Sequence, residues 1–194
     1  MEYKSQKSVA GVDEVGRGSL IGPVYAAAVI FKKGFDKKKV KDSKKLSRKK
    51  REFLENYIKK NSYWAIGTAS EKEIEKINIL NASLLAMKRS ILKLKFKPKI
   101  VKVDGNKKPN INNLNIKSVV RGDQKIPEIS AASILAKVSR DRLIRKMSKK
   151  FKAYLWDKNV GYGTKDHLSA IKKFGITKHH RKTFKPIHNI LSPK

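Results

Sequence analysis

Short apolar runs alternate with amphipathic segments along most of this 194-residue chain. The apolar runs predict five strands, at residues 9–14, 22–31, 62–70, 99–103 and 116–120. The first two runs are separated only by a short glycine-containing segment, so we expect these two strands to form a hairpin-like unit.

Helical periodicity separates and follows these strands, with helices expected after Ser47 and at residues 71–77, 78–96, 128–151 and 165–174. Ser47 and Thr164 have the side chains that cap helix N-termini, and Gly175 is placed to end the last helix. The tail from His179 contains two prolines and shows no regular period. Strands interleaved with helices predict an α/β fold, a five-stranded mixed sheet flanked by helices.

The balance of charge is strongly basic, with 48 Lys and Arg against 16 Asp and Glu, a net charge of +32. Such an excess repels itself in a compact fold, and its usual reason is a polyanionic partner. A nucleic acid is favoured over a membrane because no basic amphipathic segment stands out as a surface anchor. A solvated surface produced by a lysine-biased composition is the alternative that charge alone leaves open.

The sequence also limits the class of protein. It has no cysteine, which excludes disulfides and thiolate zinc sites. Residues 1–8 are polar and lack the apolar core of a signal peptide. The most apolar run, residues 22–31, is about half the length that a membrane span needs. We therefore expect a cytoplasmic protein without membrane spans.

Acidic side chains stand at the ends of predicted apolar strands. The pair Asp13 and Glu14 follows the first strand, and Asp104 follows the fourth. Polar groups at strand ends of an α/β sheet face the crevice where ligands bind. Adjacent strand residues point to opposite faces, so the pair can share a site only if the chain bends there. We expect Gly16 and Gly18 to supply that bend.

Asp123 is a fourth candidate, because it follows a glycine at the foot of the predicted buried helix. Taken alone, it could equally be a turn residue. Four carboxylates converging in so basic a chain favour a hard divalent cation, which prefers oxygen ligands and substrate phosphates. Two such ions can activate a water and stabilise the leaving oxygen in phosphodiester cleavage. The pattern therefore predicts a metal-dependent nuclease, although spacing alone does not establish one.

Six motifs, in this order, resemble those of bacterial ribonuclease HII, a type 2 ribonuclease H: residues 13–18, 42–46, 103–105, 122–123, 130–141 and 161–164 with His167. The resemblance extends from about residue 8 to residue 188. Val15 departs from the alanine that is more frequent in the family, which concerns packing more than function. Type III enzymes resemble Gly-Lys-Gly rather than the Gly-Arg-Gly of this chain.

The resemblance implies a ribonuclease H-like catalytic domain over residues 1–150. A C-terminal helical extension, residues 151–194, would pack on it and carry the Gly-Tyr-Gly motif. It implies hydrolysis of RNA in RNA–DNA hybrids, and incision 5′ of ribonucleotides in duplex DNA that leaves 3′-OH and 5′-phosphate ends. By motif position, the catalytic carboxylates that hold two Mg²⁺ or Mn²⁺ ions are Asp13, Glu14, Asp104 and Asp123.

The resemblance also implies a set of substrate contacts. It assigns reading of the ribose 2′-OH to Gly16, Arg17 and Gly18, contact with backbone phosphates to Lys44 and Lys45, and packing on the next deoxyribose to Tyr162. The expected partners are RNA–DNA hybrids and DNA that contains ribonucleotides. We expect a monomer without a sliding-clamp tether, because the tail has no Gln-x-x-hydrophobic pattern ending in paired aromatic residues.

The remaining acidic and histidine side chains of the motifs are not assigned a catalytic role. Asp141 is expected to form helix salt bridges with Lys137 and Arg145, and the four histidines are not expected to bind metal. Two alternatives compete with the ribonuclease hypothesis. One is a non-catalytic basic nucleic-acid-binding protein, and the other is a nuclease or transposase that acts on all-DNA substrates.

Overall fold

A five-stranded mixed sheet forms the centre of the computed structural model, which describes residues 8–40 and 46–192. The strand order is β3-β2-β1-β4-β5. The strands are β1 (Val9–Val15), β2 (Val24–Phe31), β3 (Ser62–Ala69), β4 (Ile100–Asp104) and β5 (Asn115–Val119). The five predicted strands and the mixed sheet are confirmed.

Strand β1 is where the pairing in the sheet changes from antiparallel to parallel. It pairs antiparallel with β2 as far as Val15 opposite Tyr25, which confirms the hairpin-like unit. It pairs parallel with β4 only as far as Val12 opposite Val103. The last three residues of β1 therefore have no β4 partner, and a crevice opens at the carboxyl ends of these two strands.

Seven helices follow the strands in the described residues: α1 (Arg48–Asn61), α2 (Glu71–Leu92), α3 (Gly122–Lys125), α4 (Pro127–Ser148), α5 (Trp156–Asn159), α6 (Lys165–Phe174) and α7 (Lys185–Leu191). The predicted caps are present. Ser47 accepts from the Lys50 N–H, Thr164 accepts from the His167 N–H, and Gly175 ends α6.

The helix boundaries differ from the sequence prediction at a few points. Asn78 has φ 64° and interrupts α2, which agrees with the two separate helices expected there. Helix α4 ends at Ser148 rather than Phe151. Helix α7 forms in the tail, where no regular structure was expected. It is too short to show a period, but a proline suits its first turn and Ile187 anchors it in the core.

Alternation along the central strands sends side chains to two layers. Val24, Ala26 and Ala28 of β2 pack in a cluster that includes residues of α2. Ala27 and Val29 pack on the other face, in a cluster with residues of α1 and α4. The same alternation in β1 turns Asp13 toward α4.

A third apolar cluster joins the C-terminal helices to the segment after β1. Its fully buried members include Ile21, Ile144 and Trp156. A boundary at residue 150 stays a prediction. None of the helices in the described residues combines the length and the apolar character needed to cross a membrane.

Candidate active site

Four carboxylates line one cleft at the carboxyl ends of β1 and β4. They are the four that the sequence singled out: Asp13, Glu14, Asp104 and Asp123. The rest of the lining is contributed mainly by α1 and α4, through Arg51, Ser133, Ile134 and Lys137. Residues far apart in the chain thus converge where β1 and β4 separate.

Asp13 is nearly buried, with 6% of its surface exposed. Its Oδ1 accepts from the Glu14 N–H at 2.7 Å, and the Ser133 hydroxyl also hydrogen-bonds to this carboxyl group. Burial, followed by the charge of Glu14, raises the pKa of Asp13 well above its usual range. Asp13 is therefore fixed in place in a site that disfavours its negative charge.

Glu14 shares the cleft although it neighbours Asp13 in a strand. Burial raises its pKa, an effect that the Arg17 guanidinium opposes from 3.4 Å. The predicted bend between the strand and Gly18 does not bring Asp13 and Glu14 together. Pairing with β2 continues through Glu14, and the left-handed backbone comes afterwards, at Gly16 with φ 92°. The cleft lies beyond the last β1–β4 pair, so it is open to both side chains.

Asp104 and Asp123 are joined by a helix N-terminus. Asp104 Oδ1 accepts from the N–H groups of Gly122 at 2.6 Å and Asp123 at 3.3 Å. A Cβ on Gly122 would lie 2.6 Å from Ile129 Cδ1 and 3.3 Å from Asp104 Oδ1, so a larger residue would have to displace these groups. The carboxylate at the end of β4 therefore holds the start of α3, and with it Asp123, at the cleft.

The donor set of the cleft fits a hard divalent cation. Across residues 8–40 and 46–192, no three acidic or histidine side chains are already arranged as ligands of one ion. The fit rests on the chemistry of the donors, since four carboxylates offer only oxygen ligands. Burial, followed by the charges of neighbouring carboxylates, raises the pKa of Asp13 and Glu14, and a bound cation would stabilise their charged forms.

The Gly-Arg-Gly loop, residues 16–18, borders this cleft and meets the distant Gly-Tyr-Gly turn, residues 161–163. Ser19 forms a β-bridge with Tyr162, and the Leu20 N–H donates to the Gly161 carbonyl at 2.8 Å. Arg17 and Gly18 are exposed. The two glycine motifs thus form one surface next to the carboxylates.

The ring of Tyr162 lies beside the cleft and has cationic neighbours. Lys137 Nζ, which lines the cleft, and the Arg140 guanidinium each lie 5.8 Å from the ring centroid. Lys137 also pairs with Asp141 at 2.9 Å, and Arg145 pairs with Asp141 at 3.8 Å. The salt bridges expected for Asp141 are confirmed.

His167 fixes the backbone of Tyr162, a role that the sequence did not indicate. Its Nε2 accepts from the Trp156 indole N–H at 2.9 Å, and its Nδ1 lies 2.9 Å from the Tyr162 carbonyl. Because indole can only donate, Nδ1 carries the proton and donates to that carbonyl. Burial lowers the pKa of His167 and keeps it neutral.

The sequence also did not single out Arg140 as a functional or buried residue. This side chain is fully buried and donates to Ser19 Oγ at 2.6 Å and to the Val160 carbonyl at 3.1 Å. A signal was present, because buried Ala136 and Ile144 lie four residues before and after it on α4.

Asp42, Lys44 and Lys45 lie outside the described residues.

Comparison with known proteins identifies the family of this chain. The model of the ribonuclease HII family matches residues 10–187. Ribonuclease HII of Pelagibacter ubique is 70% identical over 185 residues, which cover 95% of this chain and 100% of that protein. The crystal structure of ribonuclease H2 from Pyrococcus horikoshii matches with TM-score 0.78 and 27% identity, over 94% of this chain and 96% of that one. Archaeoglobus fulgidus ribonuclease HII, solved in complex with PCNA, matches with TM-score 0.71 and 26% identity, over 92% and 95%.

Proposed function

Because this chain belongs to the ribonuclease HII family, we propose that it is a metal-dependent endoribonuclease. It hydrolyses RNA in RNA–DNA hybrids and incises duplex DNA on the 5′ side of an embedded ribonucleotide, leaving 3′-OH and 5′-phosphate ends. One observation carries this proposal: four carboxylates converge in a cleft that borders two glycine-rich loops.

The four carboxylates of the cleft are the groups that would hold Mg²⁺ or Mn²⁺. When bound, such ions activate a water for attack on phosphorus and stabilise the leaving oxygen. The chain itself orients the ligands. Ser133 and the Glu14 N–H fix Asp13, and Asp104 is fixed by the N–H groups that begin α3. Preorganised ligands need little rearrangement when the substrate arrives.

Positive charge at the same cleft suits a phosphodiester substrate. Arg51 and Lys137 line it, and the net charge of +32 attracts a nucleic-acid duplex as a whole. Lys137 lines the cleft and its Nζ lies 5.8 Å from the Tyr162 ring centroid, so we expect it to contact a phosphate next to the reacting one. Contact of Lys44 and Lys45 with backbone phosphates stays part of the proposal.

Recognition of the ribonucleotide is assigned to the two glycine motifs. The 2′-OH is the group that distinguishes a ribonucleotide from its deoxy neighbours. Arg17 and Gly18 are exposed, and glycine lets a ribose approach the backbone at Gly18 without an intervening side chain. Tyr162 packs on the following deoxyribose, where a second 2′-OH would collide with the ring. We also propose that the protein is a cytoplasmic monomer without a clamp tether. The complex with PCNA was solved for the Archaeoglobus fulgidus protein.

The test is incision of a DNA duplex that contains one ribonucleotide, with Mg²⁺ or Mn²⁺ and then with chelator. We expect a nick 5′ of the ribonucleotide with metal and none with chelator. The absence of any metal-dependent nick would refute the proposal. Salt-sensitive binding that ignores both metal and the 2′-OH would favour a non-catalytic binding protein. Cutting of the matched all-DNA duplex would favour a different nuclease.

A further inference from the structure

Two buried arginines hold the backbone that follows β1. Arg181, from the segment before α7, donates from Nη1 to the Arg17 carbonyl at 3.0 Å and from Nε to the Gly22 carbonyl at 2.9 Å. Arg140 donates to the Ile21 carbonyl at 3.1 Å. Both guanidinium groups are fully buried. The carbonyls of residues 17, 21 and 22 therefore point inward, toward cations.

This arrangement is expensive for the fold. Burial, followed by the charge of Arg140, lowers the pKa of Arg181 to about 9. Within the described residues its Nη2 has no hydrogen-bond partner. A buried cation with an unsatisfied donor destabilises a protein compared with an apolar side chain of similar volume. Stability alone does not explain an arginine at this position, but its effect on the loop does.

The effect follows from the geometry of one peptide group. The described peptide bonds are all trans, so the C=O and N–H of each peptide point in opposite directions. Arg181 draws the Arg17 carbonyl inward, and the Gly18 N–H of the same peptide therefore points outward. Gly18 is exposed. A Cβ added to Gly18 would lie 3.9 Å from Cε1 of the Tyr162 ring.

We propose that Arg181 is a positioning residue for ribose recognition. By holding the Arg17 carbonyl, it presents the Gly18 N–H as a donor to the 2′-oxygen of the ribonucleotide. Arg181 itself does not touch the substrate. This inference rests on the proposed function, because it names the group that sets the direction of the loop's donor.

The test compares KM for a duplex with one ribonucleotide against the inhibition constant of the matched all-DNA duplex. The ratio of the inhibition constant to KM measures preference for the ribose. We expect Arg181→Met to lower this ratio about tenfold, the size of one hydrogen bond, while the inhibition constant stays within about twofold. Arg181→Lys keeps the charge and one donor group, so it should retain part of the preference.

Tyr154→Phe is the matched control for lost stability. It removes a hydroxyl that donates to the Gly175 carbonyl at 3.0 Å, and Tyr154 belongs to the third apolar cluster, in the C-terminal part of the fold. We expect a lower melting temperature and an unchanged ratio. An unchanged ratio in Arg181→Met, or an equal rise of KM and the inhibition constant, would overturn the inference.

Hydrogen exchange provides a second measurement if Arg181→Met does not fold. In the wild-type protein, the Gly18 amide should exchange rapidly and become protected by the ribonucleotide duplex but not by the all-DNA duplex. Protection by neither duplex, in a protein that nicks at the ribonucleotide, would refute this inference and leave the proposed function intact. A wild-type protein that nicks no ribonucleotide duplex would refute both.

Discussion

A methyl group added at Gly16 is expected to damage the loop far more than its size suggests. Gly16 has φ 92°, a conformation that costs an L-residue about 1–2 kcal/mol. The new Cβ would also lie 2.2 Å from Arg140 Nε. The guanidinium must move, although it donates four hydrogen bonds to the surrounding backbone and to Ser19.

Hydrogen bonds from a charged group contribute about 1.5–3 kcal/mol each. Loss of one or two of them, added to the backbone strain, gives a destabilisation of about 2.5–8 kcal/mol for Gly16→Ala. That is a large part of the stability of a typical domain, about 5–15 kcal/mol. The loop that Arg140 supports should also lose its geometry, so incision at a ribonucleotide should fall with it.

Gly34→Ala is the matched control, because Gly34 has φ 82° but no atom within 4 Å of the added Cβ. It should show the backbone strain alone, about 1–2 kcal/mol, and normal incision. Urea denaturation of both variants gives the free energy of unfolding in each case. If the two variants lose equal stability, the contact between Gly16 and Arg140 does not constrain the loop as described.

Three further predictions concern the cleft and the ring beside it. Tyr162→Ala should lose preference for the ribonucleotide junction more than affinity for the duplex, while Tyr162→Phe keeps both; equal loss on all substrates would exclude sugar packing. Asp13→Asn should abolish incision yet stabilise the metal-free protein at pH 7, as measured by urea denaturation with chelator. The sign follows from the raised pKa, because folding then favours the protonated acid and stability falls as pH rises above the ordinary value of 3.8. This gain should vanish near pH 3, and a gain that persists there would contradict the assignment. His167→Phe should weaken junction preference by freeing the Tyr162 backbone, whereas His188→Phe should not; both are compared by incision kinetics.

The strands, and the acidic residues at their ends, could be predicted from local sequence patterns. Apolar runs fixed the strands to within a few residues, and acids at strand ends identified the cleft, because the carboxyl ends of neighbouring parallel strands meet. The way in which Asp13 and Glu14 share the cleft could not be read in this way. It depends on where the β1–β4 ladder stops, at Val12 opposite Val103, and pairing between distant segments leaves no local pattern.

The residues that support the loop were missed for a related reason. Arg140, His167 and Arg181 are polar residues in polar stretches, and a basic chain offers many such residues on its surface. Arg140 and Arg181 bond to the carbonyls of residues 21 and 22 only when the C-terminal part of the chain packs on the segment after β1. The bonds of the buried His167 ring, to Trp156 and the Tyr162 carbonyl, likewise form only in the folded C-terminal part. Helix α7 was missed because it is short and Ile187 is its one buried residue, which leaves no helical period in the sequence.

The most direct test of the account is single-turnover incision of the one-ribonucleotide duplex by Asp104→Asn in saturating Mg²⁺. The substitution removes one carboxylate from the cleft and changes almost no volume. We expect incision to be abolished while affinity for the duplex stays close to that of the wild type. Asp157→Asn, which removes an exposed acid on α5, should cut normally. Normal cutting by Asp104→Asn would contradict the assignment of the four-carboxylate cleft as the catalytic site.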